Sequence, residues 1–161
     1  MAYTMKCTGL DELGSMLEKM AEKAPAVAAQ ALYEGAGAMA KEVESQAGAI
    51  RTAPFKYATV SRGEMREASP EEKAAVTGAG GVGIAKFQKD GSEVQTSVGY
   101  GNAGYAEIKG KAVAIAKIAN SINSGTSFMK KQPFIRKAAT AGKGKAVDAM
   151  RAVIEKAYET K

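Results

Sequence analysis

The sequence predicts an α+β fold in which two N-terminal helices, a small antiparallel β-sheet with a hairpin, and a C-terminal helix follow one another. Alanine-rich segments with apolar residues at helical spacing occupy both ends of the chain. Between them, residues 82–88 and 92–100 alternate between apolar and polar side chains around Asp90-Gly91, a favoured hairpin turn. The length of 161 residues fits a single domain, 1–161, with a polar loop or insertion at about 51–80.

The first elements are predicted from alternation and from a helix-start signal. Residues 3–8 alternate as a short half-exposed strand would. Thr8-Gly-Leu-Asp11 has the spacing of a capping box, and apolar residues follow at helical intervals, which predicts a helix over 10–23.

A second helix is predicted over 25–48, because Pro25 fits the first turn of a helix and apolar residues follow at helical spacing. Gly35 and Gly37 would each cost about 1 kcal/mol relative to alanine inside that helix. They indicate either a close backbone contact or a weak helix.

Later elements are predicted in the same way. Ser69-Pro-Glu-Glu72 combines a serine cap, a proline and two acidic residues, and predicts a short helix over 70–76. A short strand is expected over 105–108 and a helix over 111–123. The last helix is expected to start at Pro133, with two internal glycines, Gly142 and Gly144, that loosen or break it.

Composition narrows the classes of function. The chain has no histidine, which removes the commonest general base and the commonest metal ligand, so we expect no enzyme. Its single cysteine, Cys7, cannot form an internal disulfide. The sequence lacks the 18 or more consecutive apolar residues that a membrane-spanning helix needs, and no secretory signal is evident at its start. We therefore expect no membrane partner and synthesis in a cytosol.

The charge is unevenly distributed. Residues 129–161 hold 9 Lys/Arg and 3 Asp/Glu, whereas the rest of the chain holds 14 of each and is neutral, so the net charge of +6 lies in the C-terminal segment. Such a segment suits nucleic acid, an acidic protein surface or solvent. Few aromatic residues are interleaved with these cations, so a small nucleic-acid-binding protein is the alternative hypothesis and is not the favoured one.

Gly78-Ala-Gly80-Gly-Val-Gly83 matches the glycine pattern of dinucleotide-binding folds. That motif requires a strand before it and a helix after it. Here a helix signal precedes it and an alternating segment follows. We therefore interpret the glycines as a lead into a strand and expect no nucleotide cofactor.

Two short motifs at opposite ends of the chain carry a resemblance. Thr8-Gly-Leu-Asp-Glu-Leu13 leads into the first helix, and Asn123-Ser-Gly-Thr-Ser127 precedes Gln132-Pro-Phe-Ile-Arg-Lys-Ala138 and the last helix. In this order the chain resembles the phage neck and tail-completion family typified by the tenth gene product of phage HK-ninety-seven. It departs from that pattern at Ser124, where the family often has an aromatic residue, and at Lys137, where the family often has a proline.

The resemblance implies a virion structural protein that completes or joins the tail at the head-tail junction or upper tail, without catalysis, metal or cofactor. It implies assembly in the cytoplasm of the host bacterium and localisation in the virion. The implied partners are further copies of the chain, in a closed ring that is sixfold like the tail tube, and neighbouring tail or neck proteins.

Candidate interface or packing residues surround the second motif. They are Gly125, Thr126, Lys130, Lys131, Pro133, Phe134 and Arg136. Gly125 is expected to permit a turn that other residues disfavour, and Pro133 with Phe134 to anchor the last helix against the sheet, as an interface or as simple helix-start packing. Arg136 and the nearby lysines are candidate contacts with an acidic neighbouring ring.

Overall fold

A computed structural model describes residues 10–54, 65–78, 81–90, 93–101 and 103–159. Over this part of the chain it has a small α+β fold with four helices and three antiparallel pairs of strands. The helices are α1 Leu10–Gly48, α2 Pro70–Thr77, α3 Ile115–Ser124 and α4 Phe134–Tyr158. The strands are β1 Gly83–Ile84, β2 Gln88–Asp90, β3 Glu93–Gln95, β4 Val98–Gly99, β5 Tyr105–Ile108 and β6 Lys111–Ala114. The strand expected over 3–8 lies outside the described residues.

The two predicted N-terminal helices are one continuous helix, α1, with Pro25 inside it. The expectation of a helix start at Pro25 was therefore wrong. Proline removes one backbone donor, and this costs less where water can reach the helix, as it can over the exposed residues 18–26. Packing against α4 holds the helix on both sides of the proline: the Tyr158 hydroxyl donates to the Met20 carbonyl at 3.4 Å, and Gly35 lies against Met150.

The antiparallel pair of α1 and α4 is the largest packing interface between described elements. Small residues let the two backbones approach closely, since a β-carbon at Gly35 would lie 2.5 Å from Met150 Cε and 3.3 Å from the Ala146 carbonyl oxygen. A β-carbon at Gly142 would lie 2.7 Å from Met39 Sδ. Of the two alternatives left open for Gly35 and Gly37, a close contact is present at Gly35, whereas a side chain at Gly37 would meet open space.

Helix α4 runs without a break from Phe134 to Tyr158, so the expected loosening at Gly142 and Gly144 does not occur. Packing explains the continuity, because Gly142 is buried in the seam with α1. An ion pair across the same seam, Lys145 Nζ to the buried Glu42 Oε2 at 2.6 Å, also joins the two helices.

The hairpin predicted around Asp90-Gly91 is confirmed, as two short ladders. β2 pairs with β3 and β1 with β4, and the Ala85 N–H bond to the Ser97 carbonyl links the two ladders. The hairpin contacts α1, and Phe87 meets Tyr33 edge to face at 6.2 Å. It therefore covers one side of the second half of α1.

A second hairpin replaces the start of the predicted helix over 111–123. The strand expected over 105–108 is confirmed as β5, but residues 111–114 pair with it as β6, and α3 begins only at Ile115. Lys109 and Gly110 both have positive φ, 54° and 74°, which is the backbone of a tight two-residue hairpin turn. Lys-Gly is a weaker hairpin signal than Asn-Gly or Asp-Gly, so the expectation that the alanines after it start a helix was wrong.

The helix predicted over 70–76 is confirmed as α2. Its capping box is complete, since the Glu72 N–H donates to Ser69 Oγ at 3.1 Å and the Ser69 N–H donates to Glu72 Oε2 at 2.8 Å. The glycine motif follows it, with Gly78 at the end of α2 and Gly83 at the start of β1. It joins a helix to a strand, which is the reverse of the order that a dinucleotide site requires.

The core lies where the C-terminal end of α1 meets the start of α4. Its buried side chains come from all four helices and from three segments between elements. They include Val43, Ala47, Ile50, Val76, Tyr100, Ile118, Ile122, Met129, Phe134 and Ala138. The hairpins pack against this cluster through half-buried side chains such as Val82, Ala106, Ile108 and Val113. The fold therefore brings the α3–α4 connection, the end of α1 and the start of α2 to one place. None of the described helices has the length and hydropathy of a membrane span.

Substitutions at two glycines of α1, Gly35 and Gly37, should change stability in opposite directions, because of the two only Gly35 lies against α4. Gly35→Leu should lower the free energy of unfolding by about 1–3 kcal/mol, because the new side chain overlaps Met150 and the Ala146 carbonyl. Gly37→Leu should raise it by up to about 1 kcal/mol, because it meets open space and leucine favours a helix. Urea unfolding followed by circular dichroism measures both, and equal effects at the two positions would contradict the close seam.

The Tyr100 hydroxyl is buried and has no hydrogen-bond partner among the described residues. Burial, with a smaller contribution from Glu44, raises the pKa of Tyr100 to about 12. Tyr100→Phe should therefore leave stability unchanged or raise it at neutral pH, since it removes a polar group that lacks a partner.

The same substitution should change the alkaline stability profile. The unfolded chain releases the tyrosine proton near pH ~10, before the folded chain does, so this group's contribution is lost as the pH rises from there through about 12. Unfolding measured over that range should be less pH-dependent in Tyr100→Phe than in the wild type. Identical profiles would show that Tyr100 titrates normally.

Candidate assembly surface at the connection between α3 and α4

The connection between α3 and α4, residues 125–133, starts with a glycine that two constraints require. Gly125 has a φ of +76°, in the region that favours glycine, and its N–H closes α3 by donating to the Ser121 carbonyl at 2.9 Å. A β-carbon on Gly125 would also lie 3.0 Å from Lys131 Cβ. The chain thus turns sharply at Gly125 and passes close to itself six residues later.

Thr126 closes the next turn. Its N–H donates to the Met129 carbonyl at 3.0 Å, and its hydroxyl oxygen accepts from the Met129 N–H at 3.1 Å. This small ring places the Met129 side chain in the core, 2% exposed, and leaves Phe128 53% exposed. The turn therefore presents an aromatic side chain to solvent from a fixed backbone.

The same turn is bound to the segment before α2. Arg66 forms a parallel bridge with Met129, in which the Arg66 N–H donates to the Phe128 carbonyl and the Lys130 N–H donates to the Arg66 carbonyl, both at 2.8 Å. Met65, next to the bridge, is 50% exposed. Two large apolar side chains, Met65 and Phe128, thus stand in solvent beside the bridge.

Gln132 binds three segments at once. Its side-chain carbonyl accepts from the Arg51 N–H at 2.8 Å, and its amide donates to the Arg51 carbonyl at 2.9 Å and to Glu67 Oε2 at 3.1 Å. Its backbone N–H donates to the Ile122 carbonyl at 2.8 Å. Through its buried side chain and its backbone N–H, Gln132 therefore fixes the segment after α1, the approach to α2 and the end of α3 relative to one another.

A charged pair supports the approach to α2. Arg66 donates to both oxygens of Glu72, at 2.7 and 2.6 Å, in the two-pronged geometry that guanidinium and carboxylate groups favour. Burial alone would raise the pKa of Glu72, but the bonds from Arg66 and Ser69 outweigh it, and the pKa of Glu72 is lowered. The carboxylate therefore stays ionised and holds Arg66 in place.

The start of α4 is anchored by packing and by a bond from α3. Phe134 is 3% exposed and meets Tyr100 edge to face at 6.1 Å, while Pro133 precedes the helix. The Asn123 side-chain oxygen accepts from the Ile135 N–H at 3.1 Å. Phe134 thus packs in the core against Tyr100, the residue directly after β4.

Cations surround this rigid connection. Lys130 Nζ lies 3.4 Å from Glu67 Oε1, whereas Lys131, Arg136 and Lys137 are exposed and take part in no salt bridge between described residues. A shallow groove of about 490 Å³ runs beside Arg136 and Lys137, between the start of α4 and Gln46 of α1. We call the exposed side chains of this region the junction surface: Met65, Phe128, Lys130, Lys131, Arg136 and Lys137.

The predicted site residues fall into two groups. Gly125, Thr126 and Phe134 shape the connection from within, and Pro133 directly precedes α4, while Lys130, Lys131 and Arg136 are exposed. Interface roles for all of them stay predictions. Sequence reasoning missed Gln132 and the Arg66–Glu72 pair, whose partners lie in distant parts of the chain. The one available signal for Gln132 was its place directly before Pro133 in the second motif.

No protein-family model, curated protein or solved structure matches this chain. The resemblance to tail-completion proteins therefore depends on the motif residues and on the order of elements. Among the described residues, no group of three or more Cys, Asp or Glu side chains could hold a metal ion. That the chain uses no metal or cofactor stays a prediction.

The Arg66–Glu72 pair predicts an acid-dependent loss of stability. Because the pKa of Glu72 is lower in the folded chain, its contribution is fully present above the unfolded value of about 4.3 and is lost as the pH falls through the folded value. Glu72→Gln should therefore lower the free energy of unfolding at neutral pH and flatten its decline in acid. The matched control is Glu71→Gln, an exposed neighbour in the same helix turn, which should follow the wild-type curve. Parallel curves for all three proteins would contradict the assigned role of Glu72.

Proposed function

We propose that the chain is a structural subunit of a phage or phage-derived tail particle, located in the virion at the head-tail neck or upper tail, where it completes or joins the tail. It acts through surfaces that bind other proteins and not through catalysis. Its partners are further copies of itself in a closed ring, sixfold like the tail tube, and neighbouring tail or neck proteins.

The observation that carries this proposal is the part that the second family-like motif plays in the fold. Gly125 and Thr126 shape the connection, Gln132 ties it to α1 and to the approach to α2, and Phe134 packs in the core. The motif residues therefore build one rigid connection. Exposed apolar and cationic side chains on a rigid backbone are what a protein interface needs, because little conformational freedom is lost on binding.

Charge indicates the kind of neighbour. Lys131, Arg136 and Lys137 have no salt-bridge partner among the described residues, and Phe128, in the same connection as Lys131, is half exposed. An acidic protein surface with an apolar pocket for an aromatic side chain complements this arrangement. We therefore assign the junction surface to the contact with a neighbouring tail or neck ring.

The test uses the particle itself. Deleting the gene should give filled heads and unattached tails in electron micrographs of lysates. The full chain supplied in trans should restore joined particles, and a Lys131→Glu, Arg136→Glu, Lys137→Glu triple variant should not, although it folds. The matched control reverses two exposed cations elsewhere, Lys41→Glu and Lys117→Glu, and should restore joining. Normal, joined particles without the chain would refute the proposal.

A small nucleic-acid-binding protein is the alternative, and the observation in its favour is that several cations of the C-terminal segment, such as Lys131 and Lys143, form no salt bridge within the described part of the chain. Three of its cations already lie in ion pairs, since Lys145 pairs with Glu42, Lys130 with Glu67 and Arg151 with Asp148. Each phosphate contact made by a cation steepens the salt dependence of binding.

The same triple variant separates the two functions. Fluorescence anisotropy with a labelled DNA duplex over a range of salt should show weak binding for the proposed tail subunit. Tight binding with a steep salt slope, lost in the triple variant but retained in the Lys41→Glu, Lys117→Glu control, would favour the nucleic-acid function instead.

A further inference from the structure

The side of α4 that points away from α1 combines cations with exposed apolar residues. α4 packs on α1 through Ala138, Gly142 and Ala146, which are buried. Lys143, Val147, Arg151 and Ile154 follow one another at intervals of three or four residues on another side of the helix, and all four are exposed. Val147 and Ile154 are 44% and 45% exposed. We call these four residues the outer face of α4.

Its cations are weakly engaged. Arg151 lies 3.9 Å from the exposed Asp148, a distance and setting in which an ion pair contributes little. Lys143 takes part in no salt bridge between described residues. The outer face therefore offers positive charge on either side of Val147.

The first half of α1 carries a stripe of opposite charge. Glu18, Ala21, Glu22 and Pro25 are exposed at helical spacing, and the half-buried Ala29 continues the same side of the helix. Farther along α1 this side continues through three buried residues, Ala36, Val43 and Ala47. We call Glu18, Ala21, Glu22, Pro25 and Ala29 the bare stripe of α1.

The bare stripe lies on the side of α1 that other elements cover farther along the helix. In the second half of α1 the hairpin and the core pack on this side of the helix, whereas Glu18, Ala21, Glu22 and Pro25 are exposed on it, and the α4 contact at Met20 lies on another side. A helix with a small apolar stripe is stabilised mainly by what packs on it. A surface with apolar residues and positive charge would therefore complement the stripe.

The outer face of α4 has those properties, but it cannot reach the bare stripe of its own chain. α4 already packs on α1 through a different side, so the outer face points away from the helix that carries the stripe. A second copy of the chain can bring the two together. Such a contact joins different surfaces of the two copies, which generates a ring when the rotation closes.

We propose that the outer face of α4 in one copy docks on the bare stripe of α1 in the next copy, with Lys143 and Arg151 facing Glu18 and Glu22. The inference deepens the proposed function and rests on it for the setting of several identical subunits side by side. It assigns the contact between copies to this pair of helix faces and leaves the junction surface free for a neighbouring ring. Charge complementarity selects the occupant, and the small residues of the stripe give Val147 and Ile154 room to pack.

A charge-exchange experiment tests the contact. Glu18→Lys with Glu22→Lys should raise the dissociation constant between copies at least ~tenfold, and so should Lys143→Glu with Arg151→Glu, because each places like charges opposite one another. Combining all four changes in one chain should restore association. Sedimentation velocity of the purified full chain over a range of concentration measures this. All these positions are exposed, so circular dichroism should show unchanged folding.

The matched control is Lys41→Glu with Lys117→Glu, exposed cations on other surfaces, which should associate as the wild type does. A fourfold variant that associates no better than either pair would overturn the inference. So would a wild type that stays monomeric at all concentrations, as expected if another segment of the same chain covers the stripe.

These failures differ from failure of the proposed function. If charge exchange has no effect but deletion still leaves tails unattached, the contact is wrong and the function stands. If particles join normally without the chain, the function itself is wrong, whatever the association behaviour.

Discussion

The close seam between α1 and α4 is the constraint on which the rest of the structure depends. Gly35 and Gly142 remove the side chains that would keep the helices apart, and Glu42 with Lys145 adds a charged pair across the seam. Two long helices held this closely act as one rigid unit. The hairpins, α2 and α3 gather at the end of that unit where α1 stops and α4 begins.

At that end of the helix pair, hydrogen bonds and an ion pair fix the relative positions of segments that have little regular structure. Apolar packing alone would not set these positions. Gln132 and the Arg66–Glu72 pair each satisfy several groups with good geometry, and a fully satisfied buried polar network is rigid and specific. The family-like motif supplies Gln132, whereas Arg66 precedes α2 and Glu72 lies in its first turn. Structure and proposed function meet at this point, because the same network that fixes the fold also fixes the exposed side chains around it.

Local signals made the fold class, α2 with its cap, and the Asp90-Gly91 hairpin predictable from the sequence. The errors arose where tertiary contacts override local preference. Pro25 looked like a helix start because local chemistry permits one there, yet contacts with α4 on both sides keep α1 continuous. Lys109-Gly110 formed a turn that its residue types signal only weakly. In the connection between α3 and α4, the turn at Gly125 was predictable from its neighbours. The partners of Gln132 and Arg66 were not, because nothing in the local sequence points to them.

The bonds of Gln132 also bear on the order of folding. Its partner Arg51 lies 81 residues earlier in the chain, so the bond forms only after a long loop has closed. Contacts between residues so distant in sequence tend to form late, after local helices and hairpins. The α1–α4 seam joins residues still farther apart, such as Glu42 and Lys145, so we expect a half-folded chain to have local hairpins and helical turns but neither the seam nor an ordered connection between α3 and α4. Under the proposed function, the surface assigned to a neighbouring ring is then complete only at the last step of folding, and partly folded chains lack it.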